Sequence, residues 1–206
     1  MAKLFLARHG ATSFNEAGIW TGLTDIDMSE KGYEEINQSA EVLAKYVVDL
    51  ALCSKLVRAR STAAIILKRQ ANPGIPLVET ASLNEKDYGI FTGKNKEDIR
   101  AEHGDDTYRQ IRRSWDFPIK GGESLQAVHA RVVPIHRTLI NPVLESGHNV
   151  LVASHNNTLR AYIKEIEDLS IEETSSLELG TAEVRVYDFV AGSFQLVAQH
   201  CIGEVH

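Results

Sequence analysis

Asn149-Val150-Leu151-Val152-Ala153-Ser154, running directly into His155-Asn156, is the stretch on which the fold turns. An unbroken apolar run this short, closed by polar residues, reads as a strand buried on both faces. Working outward, Lys3-Leu4-Phe5-Leu6-Ala7 has the same character and runs into Arg8-His9-Gly10. Leu50–Cys53 is a second strand of this kind, and Pro76–Glu79 a short third. Between them the apolar spacing changes to that of helices. Ser29 is an N-cap with Glu30 in the first turn, followed by Tyr33, Ile36, Ala40, Leu43, Ala44 and Val47 on one face. Ser61–Gln70 is helical up to the breaker Asn72-Pro73-Gly74. Asp98–Arg113 is helical with a break at Gly104. A long helix carries Leu125, Val128, Val132, Ile135, Leu139 and Val143, with Pro134 expected to kink it. Thr158–Ile166 returns to helix after the opening strand. The tail differs: Glu183–Phe189 alternates, Ala191-Gly192-Ser193 turns, and Phe194–His200 comes back, which is a β-hairpin signal.

Strands alternating with helices and closed by a hairpin predict an α/β, three-layer α/β/α sandwich. Its sheet is mostly parallel with an antiparallel edge hairpin. The 206 residues suit one domain over 1–206, with the polar stretch around 80–122 set over it as a lid. Two cysteines, Cys53 and Cys201, are too few for a disulfide scaffold and lack zinc spacing, so a cytoplasmic protein is expected. No apolar run is long enough for a membrane span, and no signal peptide is read at Met1-Ala2-Lys3. A formal net charge of −6 argues against nucleic acid as a partner. Any anion bound here must meet a local cluster of cations.

Ligands of open α/β sheets sit beyond the carboxyl ends of the strands. Two strands end in a histidine there, His9 after Arg8 and His155 before Asn156, while a third leads through Ser54 to a turn carrying Arg58. Neutral imidazole is a nucleophile near physiological pH, and arginine forks match a tetrahedral dianion. Together they point to attack on phosphorus. No Walker A or GxGxxG sequence is present. His129 and His136 lack a partnering acid at metal-ligand spacing, and His103, His148, His200 and His206 sit by turns or the terminus, so no metal is expected.

Leu6-Ala7-Arg8-His9-Gly10-Ala11-Thr12-Ser13-Phe14-Asn15 resembles the LxRHGxTxxN signature of the histidine phosphatase superfamily. Trp20-Thr21-Gly22 with Asp25, Leu83-Asn84-Glu85-Lys86-Asp87-Tyr88-Gly89, Thr92-Gly93-Lys94-Asn95-Lys96, and Arg112-Arg113-Ser114-Trp115-Asp116 resemble one branch of it, the cofactor-dependent phosphoglycerate mutases. That resemblance implies His9 as the phosphoryl-carrying nucleophile and Glu85 as proton donor and acceptor. It implies that Arg8, Arg58 and His155 hold the transferring group. Gly10, Thr12, Asn15, Thr21, Gly22, Tyr88, Lys96, Arg112, Arg113, Asn156 and Asn157 would bind the rest of the substrate. The implied reaction interconverts 3-phosphoglycerate and 2-phosphoglycerate, in glycolysis and gluconeogenesis, after 2,3-bisphosphoglycerate primes the phosphohistidine. The alternatives are a phosphomonoester phosphatase of the same superfamily and a non-catalytic phospholigand-binding module. Family members usually have glycine where Asn156 stands, and longer ones insert a subunit-contact segment between Pro118 and Gly121, so a homo-oligomer is left open.

Overall fold

The structure, a computed structural model, describes residues 1–205, and the expectation for His206 lies outside them. In chain order the elements are β1 (Ala2–Arg8), α1 (Ser13–Glu16), α2 (Glu30–Leu43), β2 (Leu50–Cys53), α3 (Val57–Lys68) and β3 (Leu77–Glu79). After two 3-10 turns, Ala81–Leu83 and Gly89–Phe91, come α4 (Lys96–Arg113) and α5 (Leu125–Ile135). A π-helical turn at His136–Ile140 leads to α6 (Asn141–Glu145), β4 (Val150–Ser154), α7 (Asn156–Glu167), α8 (Ile171–Ser176), β5 (Val184–Val190) and β6 (Ser193–His200). The six strands form one sheet in the order β3-β2-β4-β1-β5-β6. β3, β2, β4 and β1 are parallel, while β5 and β6 close one side as antiparallel strands.

Alternate residues of each strand face opposite layers. Leu4, Leu6, Leu52, Val150 and Val152 pack with Val128 and Val132 of α5 and with Leu159, Tyr162, Ile163 and Ile166 of α7. Phe5, Ala7, Ala51 and Leu151 meet Ala40 and Leu43 of α2 and Ile66 of α3 on the other side. This is the three-layer sandwich expected. Leu159 is fully buried, so Leu159→Ala removes a core contact worth about 2–5 kcal/mol.

Several local expectations are corrected. Val47 does not belong to the α2 face, because the helix is capped at Ala44 and Val47 is exposed. The third helix starts at Val57, so Arg58 stands in its first helical turn and not in a turn ahead of it. The break in the long helix falls after Pro134: Asn141 N–H donates to His136 O across the widened turn. Pro142 has no N–H for the Thr138 carbonyl and its ring would crowd it, which places the disturbance just ahead of Pro142. The alternating stretch Glu183–Phe189 forms β5, the first strand of the expected hairpin. β5 lies between β1 and β6, and its Arg185 is buried with Nε donating to Glu183 Oε1 at 2.9 Å. The stretch 80–122 carries α4, broken at Gly104 (φ 82°). It also closes a separate apolar cluster of Tyr88, Phe91, Ile99, Ile111 and Ile119 around Trp20.

Candidate active site

The pairing of β1 with β4 builds the floor of the site. Arg8 lies opposite Ser154, and His9 N–H donates to Ser154 O at 3.1 Å. The two following histidines therefore emerge side by side, with ring centroids 5.0 Å apart. His9 Nδ1 bonds the Gly10 carbonyl at 2.7 Å. A carbonyl accepts only, so the proton is on Nδ1 and the lone pair of the neutral ring is on Nε2. Gly10 is required by packing: a Cβ there would stand 2.1 Å from Gly32 O of α2.

His155 is completely buried, and both of its ring nitrogens engage protein groups. Arg58 Nε donates to its Nδ1 at 3.3 Å, and Nε2 bonds Ser54 Oγ at 2.7 Å. Burial first, then Arg58, His9 and Arg8, hold its pKa well below the ordinary histidine value, so the ring is neutral. Arg58 also donates to Thr24 O (2.8 Å) and Gly22 O (2.9 Å), leaving a second N–H on each Nη for the cavity that it lines. Desolvation lowers its pKa to about 10.

Thr12 N-caps α1 and, with Asn15, completes a capping box. Asn15 Oδ1 accepts from Thr12 N and Thr12 Oγ1, which turns its amide nitrogen away from the cap. α7 starts directly after His155 with no side-chain cap, so its first N–H groups remain donors for an anion. Asn157 Nδ2 donates to Tyr88 OH at 2.9 Å, and the Tyr88 ring packs on Trp20.

Glu85 is buried on the loop after the first 3-10 turn, its Oε1 accepting from Lys86 N at 2.7 Å. That loop is held firmly. Arg131 donates to Ser82 O and Asn84 O at 2.8 Å and to Glu85 O at 3.1 Å, while Glu123 grips Arg131 Nε at 2.8 Å. Ser154 Oγ and Thr158 Oγ1 donate to Leu83 O and Asn84 O.

The cavity is lined by Arg8, Arg58, Lys96, Arg112, Arg113 and Arg160, with Glu85 as the acid among its lining residues. Burial, then Arg112, Arg8 and Arg113, lower the Lys96 pKa to about 8. Burial likewise lowers the Arg8 pKa, against the pull of Glu85. Arg8 Nε and Trp20 Nε1, both on this cavity, are buried donors without a protein acceptor. Cations that depress one another, beside donors that lack acceptors, make an anion site. Arg112 Nη1 donates to Tyr108 OH at 3.2 Å, and Arg113 pairs with Glu178. Among the described residues no cluster of His, Cys, Asp and Glu has the makings of a metal site.

A sequence profile of the histidine phosphatase superfamily (branch 1) matches residues 4–201. The chain belongs to that superfamily. It is 40% identical over 192 residues to a 2,3-bisphosphoglycerate-dependent phosphoglycerate mutase of Rhizobium etli (strain CIAT 652), covering 92% of this chain and 91% of the relative. A protein of the same name from Methylobacterium sp. (strain 4-46) is 41% identical, with 89% of each chain covered. Among solved structures, a mycobacterial glucosyl-3-phosphoglycerate phosphatase complexed with VO3 superposes with a TM-score of 0.84 at 25% identity. That match covers 96% of this chain and 98% of the other. Members of the superfamily are enzymes, and this chain is one of them.

Of the residues singled out in the sequence of this superfamily member, Arg8, His9, Asn15, Thr21, Gly22, Arg58, Glu85, Tyr88, Lys96, Arg112, Arg113, Asn156 and Asn157 line one cavity. Gly10, Thr12 and His155 do not line it. They stand behind it, as a packing glycine, a helix cap and a neutral imidazole between Ser54 and Arg58. Asn156, which lines the cavity, carries a buried Oδ1 without a protein partner. Sequence reasoning missed Arg160 and Arg131. Arg160 lies one turn after Asn156-Asn157 on the same helix, the spacing that would have pointed to it. Arg131 carries no such signal, because the acceptors that tie it to the Glu85 loop are backbone carbonyls distant in sequence.

Proposed function

We propose that the protein is a 2,3-bisphosphoglycerate-dependent phosphoglycerate mutase, interconverting 3-phosphoglycerate and 2-phosphoglycerate as a cytoplasmic enzyme of glycolysis and gluconeogenesis. The observation that carries this reading is the presence of two groups of cations in one cavity. Arg8 and Arg58 come from β1 and α3, at the sheet end that also carries His9, and Lys96, Arg112 and Arg113 come from α4. A phosphatase needs only the first group. A mutase must also hold a carboxylate and a second phosphate while the intermediate reorients.

On this reading His9 uses the Nε2 lone pair to take a phosphoryl group, its ring fixed by the Gly10 carbonyl. Arg8, Arg58 and the first N–H groups of α7 stabilise charge on the transferring oxygens. Glu85 gives its proton to the departing substrate oxygen as the P–O bond breaks. It takes a proton back when the opposite hydroxyl attacks phospho-His9. 2,3-Bisphosphoglycerate supplies the phosphoryl group that primes His9, and the buried unpaired donors of Arg8 and Trp20 suit its oxygens. His155 acts from behind, keeping Arg58 in place through Nδ1.

A second reading, hydrolysis of a phosphomonoester, is favoured by the likeness to the mycobacterial phosphatase. A coupled assay on 3-phosphoglycerate, with and without 2,3-bisphosphoglycerate, separates the two. Mutase turnover that requires priming is expected. Release of inorganic phosphate with no 2-phosphoglycerate would overturn the proposal.

A further inference from the structure

The last carbonyls of a helix have no partner inside it, and α4 ends at the arginine pair Arg112-Arg113. Its terminal carbonyls are taken up in an unusual way. Ser114 N–H returns to Gln110 O. The next two carbonyls accept from buried cations of other elements: Lys86 Nζ donates to Ile111 O at 2.8 Å, and Arg160 Nη1 donates to Arg112 O at 3.3 Å. Lys86 is 2% exposed and Arg160 1%.

Both cations are spent on neutral groups. Arg160 commits its remaining N–H groups to Thr174 O (from Nε at 3.2 Å and Nη2 at 2.8 Å), Ser175 O (3.2 Å) and Asn157 Oδ1 (3.1 Å). With all five donors used, it reaches a ligand in the cavity by its charge alone. Lys86 Nζ additionally stands 4.6 Å from the centre of the Tyr88 ring. Burial lowers the Lys86 pKa to about 7 and the Arg160 pKa to about 10. Two such costly groups at one helix C-terminus meet the negative end of its dipole. Lys86 adjoins Glu85, and Arg160 holds Asn157, so the same two contacts join three walls of the cavity.

We propose that Lys86 and Arg160 are positioning residues, which hold the C-terminal turn of α4 against the Glu85 loop and α7 and so place Arg112 and Arg113 at the distal end of the cavity. The inference rests on the mutase reading for the identity of the distal ligand, not for the bracing itself.

The test compares vanadate, which occupies only the reacting end, with 3-phosphoglycerate, which reaches both ends. KM and kcat are taken from whichever turnover the protein shows, and calorimetry gives both affinities, so the bracing is tested even if the enzyme proves to be a phosphatase. Lys86→Met should raise KM, and weaken 3-phosphoglycerate binding, about ten-fold, the scale of one charge-assisted hydrogen bond. Its kcat and vanadate affinity should stay within about three-fold. Arg160→Met removes a residue that lines the cavity as well as this brace, so only its 3-phosphoglycerate affinity is read, which should fall by at least as much, and Lys86→Arg should return KM to within about three-fold of the parent. If a methionine variant does not fold, Lys86→Gln, which keeps an N–H but not the charge, is read by the same split. Equal weakening of both ligands, a fall in kcat at constant KM, or no rescue by Lys86→Arg would each overturn the proposal.

Discussion

The two ends of the cavity are built differently. The reacting end stands on strand termini: His9 after β1 and His155 after β4, fixed in register by the Arg8–Ser154 pairing, with Arg58 one short connection beyond β2. The distal end stands on α4, a helix broken at Gly104 and seated on its own small apolar cluster. A parallel sheet buried on both faces sets atoms by its hydrogen-bond ladder, whereas a helix end is set by whatever holds its last carbonyls. On the proposed mutase reading, the reacting end would be the rigid reference, and the distal end would be where affinity and retention of an intermediate are tuned.

The sharpest way to break this division is to remove the nucleophile. His9→Ala should abolish the acid-labile phosphoenzyme formed with 2,3-bisphosphoglycerate and bring turnover to background. A remaining label on serine or threonine would end the phosphohistidine mechanism. Next in size, Glu85→Gln should keep vanadate affinity while lowering kcat by ~10²–10⁴-fold, the contribution of a positioned acid/base. Near-normal kcat would hand the proton to another group.

At the distal end the effects should be smaller and of another kind. The double change Arg112→Ala with Arg113→Ala should weaken 2,3-bisphosphoglycerate binding about ten- to a hundred-fold. Mutase turnover should collapse while hydrolysis of phospho-His9 persists or rises. Joint loss of phosphoenzyme formation would place these arginines at the reacting end instead. The finest test uses pH. Lys96 titrates at about 8 in the fold, below the ordinary lysine value. Between pH 8 and that value the unfolded chain holds more protons at this residue, so its contribution to stability rises with pH. Substrate affinity runs the other way, since a cation is lost from the cavity. Over pH 7–9 wild-type KM should rise by a few-fold while the ligand-free protein gains stability relative to Lys96→Met. KM rising equally in Lys96→Met would remove Lys96 from the distal site.

These contrasts follow how far each feature was legible in the sequence. Asn149–Ser154 and Lys3–Ala7 read as buried strands because apolar runs of that length admit little else, and the hairpin at Ala191-Gly192-Ser193 was equally local. Ser29 and Gly104 announced a helix start and a helix break through backbone preferences that a few residues set. The Glu183–Phe189 alternation marked the first hairpin strand, but that Arg185 on it would be buried and paired with Glu183 was not legible there.

By itself, then, the sequence determined the alternating α/β class, the two strand-end histidines and the run of residues that marks the superfamily. Each rests on chemistry within a few positions of the chain. Only the tertiary structure decided that β1 pairs with β4 in the register that sets His9 beside His155. It alone withdrew His155 behind the cavity wall and gave Gly10 to packing against Gly32. It also assigned Arg131 to the Glu85 loop, and Lys86 and Arg160 to the end of α4. The physical reason is the partner in each case: a backbone carbonyl looks the same in every residue, so no side-chain pattern records which distant one a buried cation will hold.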